Sequence, residues 1–148
     1  MRKKNILIFS TALIIVILDQ LTKFLIRKNF QLNESLPIIK NIFHFTYVTN
    51  TGSAFGLFKN LNLFFVFFSI LVIIMIFYYL REKIPEKEKF LQLAIGLLLG
   101  GTIGNLIDRI KIGAVTDFLD FRIWPVFNIA DSAVTVSVIL LIILLWKK

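Results

Sequence analysis

Four stretches of this chain are apolar for close to the roughly 20 residues that a helix needs to cross a lipid bilayer. They cover about residues 6–26, 61–80, 90–107 and 129–146. The second carries only one polar side chain in its interior, Ser69. Inside hydrocarbon a backbone must satisfy its own hydrogen bonds, and a single segment does so only as a helix. Four such helices use up most of 148 residues. The expected fold is therefore a membrane all-α bundle of four transmembrane helices, one domain over residues 1–148. Composition agrees. The chain is 57% hydrophobic, where a soluble domain is about half apolar. Sixteen Phe and no Cys complete the picture. Without Cys there is no disulfide framework, no thiolate nucleophile and no Cys-based metal site.

The start, Arg2-Lys3-Lys4 and then an apolar run, has the look of a secretory signal peptide. No small-x-small cleavage site follows it. Asp19-Gln20-Leu21-Thr22-Lys23 comes instead, then more apolar residues, so this segment is expected to be an uncleaved first span. Basic residues set the orientation. Arg2, Lys3 and Lys4 precede the first span, Arg81, Lys83, Lys87 and Lys89 join the second to the third, and Lys147 and Lys148 follow the fourth. By the positive-inside rule these segments, and hence both termini, are cytoplasmic. Residues 27–60 and 108–128 then lie outside. The net charge of +8 resides mainly in these flanks, which argues against a nucleic-acid partner.

The first outer segment alternates Phe43, Phe45 and Tyr47 with His44, Thr46 and Val48, the period of a strand. Asn50-Thr51-Gly52 supplies a turn. A small extracytoplasmic β-sheet with a loop is expected there.

Ionisable groups in spans are costly and mark candidate sites. Asp19 lies near the outer end of span one, with Lys23 one turn on. They form either a structural ion pair or part of a site. Span three ends Gly100-Gly101-Thr102-Ile103-Gly104-Asn105-Leu106-Ile107-Asp108-Arg109. Gly100 and Gly104 are a small-xxx-small pair suited to close helix packing. Asn105 and Asp108 share the face that carries Gly101, and Asp108–Arg109 could be a plain interfacial contact. Asn128 can cap span four, with Asp131 as its third residue. Asp117 and Asp120 could be solvated loop residues. His44, the lone His, is a poor candidate for a ligand or base, and a protein zinc site is not expected. A Ser–Lys dyad from Ser53 or Ser132 with Lys23 has no spacing to recommend it.

Two of the acids could instead form a catalytic pair. Peptide hydrolysis needs a base for water and an acid for the amide. Two close carboxylates sharing one proton supply both. A proton-coupled transporter using Asp19, Lys23, Asp108 and Arg109 is the rival reading, and a non-catalytic membrane subunit is a third.

The polar islands, taken in order, decide among these. Asp19-Gln20-x-x-Lys23, Asn50-x-Gly52-x-Ala54-Phe55, Gly100-Gly101-x-x-Gly104-Asn105-x-x-Asp108-Arg109, Val115-x-Asp117-Phe118 and Phe127-Asn128-x-Ala130-Asp131-Ser132 resemble the lipoprotein signal peptidase (signal peptidase II) family over nearly the whole chain. The resemblance implies an aspartic peptidase of the bacterial cytoplasmic membrane. It implies cleavage of diacylglyceryl prolipoproteins N-terminal to the lipidated Cys, with no cofactor, and inhibition by globomycin. Asp117 and Asp131 would be the dyad. Asn105, Arg109 and Asn128 would line the site. Asp19, Lys23, Asn50 and Gly52 would support it or contact substrate, and Asp108 falls on a motif position beside them. The partners expected are prolipoprotein substrates and membrane lipids, and the protein is expected to act as a monomer.

Overall fold

A computed structural model of the chain describes residues 5–52, 61–81 and 88–146. Four apolar helices and one three-stranded sheet make up the described residues. In chain order they are α1 (Ile6–Asn29), β1 (Ser35–Ile39), β2 (Phe43–Asn50), α2 (Asn62–Arg81), α3 (Lys89–Ile112), β3 (Val115–Asp120) and α4 (Ile129–Trp146). By length and composition α1, α2 and α3 can each cross a membrane, whereas the apolar stretch Ile129–Leu144 of α4 is shorter.

The solvent logic is inverted relative to a soluble domain. Large apolar side chains cover the outside: Leu13, Ile14 and Ile17 on α1, and Leu63, Phe64, Phe67 and Met75 on α2, are all exposed. Such a surface suits hydrocarbon and not water. Inside, Ile8 and Ala12 of α1, Ile76 of α2, and Leu91, Ile95 and Leu99 of α3 form the core cluster. Helix α3 is the spine, with 56% of its most apolar window buried against 22% for α1 and 11% for α2.

Glycine makes that central position possible. A Cβ on Gly96 would stand 2.8 Å from the Ile8 carbonyl, and one on Gly100 2.8 Å from the Ala12 carbonyl. With Gly104 these residues form a four-residue repeat along α3 against α1. The expected Gly100–Gly104 pair thus extends one turn further, to Gly96. Gly101 faces the other neighbour, and a Cβ there would be 2.5 Å from the Ala130 carbonyl of α4.

The sheet has the antiparallel order β1-β2-β3. β1 and β2 form a hairpin, with Ser35 opposite Thr46. β3 pairs with β2, with Asp117 opposite Val48 and Asn50 opposite Val115. The alternation at residues 43–48 therefore does mark a strand. The loop reading of Asp117 and Asp120 is corrected: both lie in β3 and are 2% and 4% exposed. A six-residue strand with a buried face shows no clean polar alternation, so periodicity did not reveal it. The sheet stands at the end of the bundle where α1 and α3 finish and α4 begins. There α3 stops at Gly113, whose φ of 79° is left-handed and whose N–H closes on the Arg109 carbonyl at 3.2 Å.

Candidate active site

Helix α4 begins with a reciprocal cap. The Asp131 N–H donates to Asn128 Oδ1 at 2.8 Å, and the Asn128 N–H donates to Asp131 Oδ2 at 3.3 Å. This is the capping-box arrangement with Asp in place of Glu. The expected structural role of Asn128 is therefore real, but it accounts for only half of that side chain. The amide Nδ2 of Asn128 points the other way and donates to Asp117 Oδ1 at 2.7 Å and to Asn105 Oδ1 at 3.1 Å. One residue thus joins the start of α4, strand β3 and helix α3.

The second acid is fixed in the same manner. Asn105 Nδ2 donates to Asp131 Oδ1 at 2.8 Å. Asn50, at the end of β2, donates to Asp117 Oδ2 at 3.2 Å. Its own Oδ1 accepts the Gly52 N–H at 2.9 Å, which is the turn foreseen at Asn50-Thr51-Gly52. Residues Ala54 and Phe55 of that motif, and Ser53, lie outside the described residues.

Beneath these acids is an ionic foundation. Lys23 and Asp19, both fully buried, pair at 2.8 Å, as their i,i+4 spacing foretold. Lys23 Nζ also donates to Asn105 Oδ1 at 2.9 Å and stands 3.6 Å from Asp108. Asp19 Oδ1 accepts the Ala130 N–H at 3.0 Å. Asp108 faces Arg27 at 3.4 Å and accepts the Thr116 N–H at 2.9 Å. Gln20 donates to Asp19, to the Gly104 carbonyl and to Asp108 at 3.1, 3.0 and 3.3 Å. The simple Asp108–Arg109 contact is not what forms. The Arg109 guanidinium lies 5.1 Å from the centre of the Phe65 ring, and its Nε is buried with no hydrogen-bond partner among the described residues.

A cavity of about 760 Å³ opens over the two acids. Asn50, Gly52, Arg109, Asp117 and Asp131 line its polar part, while Phe65, Val134, Phe121 and residues 123–127 line much of the rest. Asp19, Lys23, Asn105, Asp108 and Asn128 are not among the lining residues; they hold those that are. Burial, then the nearby Asp131 charge, push the Asp117 carboxyl up to about 7, against the hydrogen bonds from Asn128 and Asn50 and the charge of Lys23. Asp120 differs. Burial favours its neutral form, but Thr46 and Arg122 donate to it and Arg122 pairs with it at 2.9 Å, so it is held below the usual carboxylate range. Ser132 Oγ bonds the Asn128 carbonyl, which leaves the Ser–Lys idea without support.

Arg27, Thr116, Phe65 and Phe121 were not singled out from sequence, whereas Phe127 of the same aromatic wall stood in a quoted motif. Arg27 could have been, since Asp19, Lys23 and Arg27 recur at four-residue spacing on one helix face.

Comparison with known proteins places this geometry. A family model described as signal peptidase (SPase) II matches residues 11–147. The lipoprotein signal peptidase of Halothermothrix orenii is 44% identical over 143 residues, covering 96% of this chain and 97% of the relative. That of Moorella thermoacetica is 52% identical over 130 residues, covering 88% and 86%. Among solved structures, a bacterial membrane enzyme determined by the in meso method at 2.3 Å superposes with a TM-score of 0.88 at 37% identity, over 95% of this chain and 87% of that one. A second, at 1.9 Å, gives 0.86 at 36%, over 95% and 93%. Sequence, fold and the ordered motifs thus agree, and the chain belongs to the signal peptidase II family of membrane peptidases.

Proposed function

We propose that this chain is an aspartic endopeptidase of the bacterial cytoplasmic membrane. It cleaves diacylglyceryl-modified prolipoproteins on the N-terminal side of the lipidated Cys, with Asp117 and Asp131 as its catalytic pair. The observation that carries this is how the five aspartates are partnered. Among the described residues the ion pairs occupy Asp19, Asp108 and Asp120. Asp117 and Asp131 are held by neutral amide donors and both line the cavity. An acid neutralised by a cation cannot readily take up a proton. Two acids held by amides, with the charge of Asp131 raising Asp117, can share one.

In this reading one carboxylate takes a proton from water as the oxygen attacks the scissile carbonyl. The other, carrying the shared proton, donates to the carbonyl oxygen and later supports departure of the amine. Asn50, Asn105 and Asn128 keep the acids facing the bond, and Arg109 orients the peptide. The apolar cavity wall takes the lipid-modified side of the substrate. All four helices span, both termini are cytoplasmic, and the sheet and cavity stand at the outer face. The enzyme acts as a monomer and is blocked by globomycin.

The test is release of signal peptide from a lipidated precursor by the purified protein. Asp117→Asn and Asp131→Asn should each lower the rate by about a hundred- to ten-thousandfold. Cleavage should also decline as pH rises through about 7, where Asp117 gives up its proton. Near-normal cleavage by either variant would overturn the pair.

A further inference from the structure

We infer that Arg27 is a positioning residue for this peptidase, acting on Asp117 through Thr116; the inference rests on the reading of Asp117 as a catalytic acid. Arg27 does not line the cavity. It sits near the end of α1, one turn beyond Lys23, and reaches across to β3. There its Nη1 donates to Thr116 Oγ1 at 3.0 Å and stands 3.4 and 3.5 Å from the two Asp108 oxygens.

Thr116 immediately precedes Asp117 and is 1% exposed. Each of its polar groups is held by a different element. Its N–H donates to Asp108 of α3 at 2.9 Å. Its hydroxyl accepts from Arg27 of α1. Its carbonyl accepts from Asn128, at the start of α4, at 3.4 Å. β3 is an edge strand with only β2 beside it. On its other edge a single backbone bridge, Leu119 to Phe127, holds the strand's far end, and the contacts at Thr116 set its height relative to the helices at the end next to Asp117. The same strand carries the Asp117 carboxylate toward Asp131, where a displacement of about 1 Å from productive geometry costs about a hundredfold in rate.

Arg27 also has an electrostatic effect on the second acid. With it, Asp19 and Asp108 are balanced by Lys23 and Arg27, two charges against two. Without it both acids compete for Lys23, which already stands 3.6 Å from Asp108. A shift of Lys23 toward Asp108 weakens its bond to Asn105, the residue that donates to Asp131. Both members of the pair thus depend on a guanidinium outside the cavity.

The experiment measures kcat and KM for cleavage of a lipidated precursor by Arg27→Met, Arg27→Lys, Thr116→Val and the Arg27→Met/Thr116→Val double variant. Wild type and Asp117→Asn serve as references, with thermal melting in detergent alongside. Arg27→Met should lower kcat by about ten- to a hundredfold with KM within about twofold. Arg27→Lys should recover part of the loss, since an ammonium restores the charge but lacks the planar fork. Thr116→Val should lower kcat in the same direction, and the double variant should be no slower than Arg27→Met, because both act on one contact. A folded Arg27→Met with wild-type kcat overturns the inference, as do losses that multiply in the double variant. If Arg27→Met does not insert, Thr116→Val decides: unchanged kcat overturns the inference and a reduced kcat supports it. If wild type cleaves and Asp117→Asn does not, an Arg27→Met with wild-type kcat sinks this inference alone. If Asp117→Asn cleaves normally, the underlying reading falls first.

Discussion

Asn128 shows how much one side chain can decide. Its oxygen accepts the first-turn N–H of α4, and its nitrogen donates to Asp117 and to Asn105. The cap function can be replaced by other residues, but the amide donor cannot. Asn128→Ser should keep the cap, because Ser caps helices nearly as well as Asn, and cost about 1–3 kcal/mol for the buried acceptors left without the amide donor. Cleavage should still fall about a hundredfold, since Asp117 loses its shortest donor. Melting in detergent and the rate of precursor cleavage check the two halves separately. A folded variant that cleaved normally would show that cleavage does not need the Asn128 amide donor. Asp117 and Asp120 make the same point about environment. They are three residues apart on one strand and equally hidden. One is raised to about 7 by burial and a neighbouring acid, while the other is held low by Thr46 and Arg122 despite its burial.

At the level of elements, α3 governs the site through its surface of small residues. Its Gly96–Gly100–Gly104 face admits α1, and Gly101 admits α4. These approaches bring Asp19, Lys23, Asn105 and Asn128 within bonding distance of one another. Gly101→Ala should force α4 away, because the new Cβ would meet the Ala130 backbone carbonyl at 2.5 Å and backbone cannot rotate aside. Overpacking of this kind costs about 1–3 kcal/mol. It would move the N-terminus of α4 and with it Asp131, so melting and cleavage should fall together. Gly113→Ala is the matching control. Gly113 has φ +79° and nothing within 4 Å of its missing Cβ, so the cost is backbone strain of about 1 kcal/mol without displacement of the site. Equal loss of cleavage in the two variants would argue against packing as the route from Gly101 to the acids.

For the molecule as a whole, the proposed orientation puts the sheet and cavity outside and the connection between α2 and α3 inside. The chain has no native Cys, so single cysteines report without interference. In cells, Lys40→Cys in the β1–β2 hairpin should react with a membrane-impermeant maleimide, while Lys89→Cys at the start of α3 should react only after permeabilisation. Both positions are exposed, so absence of labelling cannot be put down to burial within the protein. The reverse pattern would invert the topology and remove the proposed outer site. The location matters for the chemistry, because a substrate anchored by acyl chains presents its scissile bond near the membrane interface.

Much of this architecture was legible in the chain because lipid is a demanding solvent. Long apolar runs had to be helices, and the charges flanking them indicated an orientation. Acids that survive near such runs had to be paired or functional. The i,i+4 spacing of Asp19 and Lys23 and the cap at Asn128 are local geometry, so sequence determined them as well. The division of labour among the aspartates was different. Asp108 could not be seen to face Arg27 and Lys23, nor Asp117 to stand in a buried strand beside Asn50 and Asn128, because those partners are 11 to 85 residues away and on other elements. Whether a carboxylate meets a cation or an amide depends on which helices and strands come together. Only the tertiary structure, through the close approach that glycine allows α3, decided which two acids form no ion pair among the described residues and line the cavity.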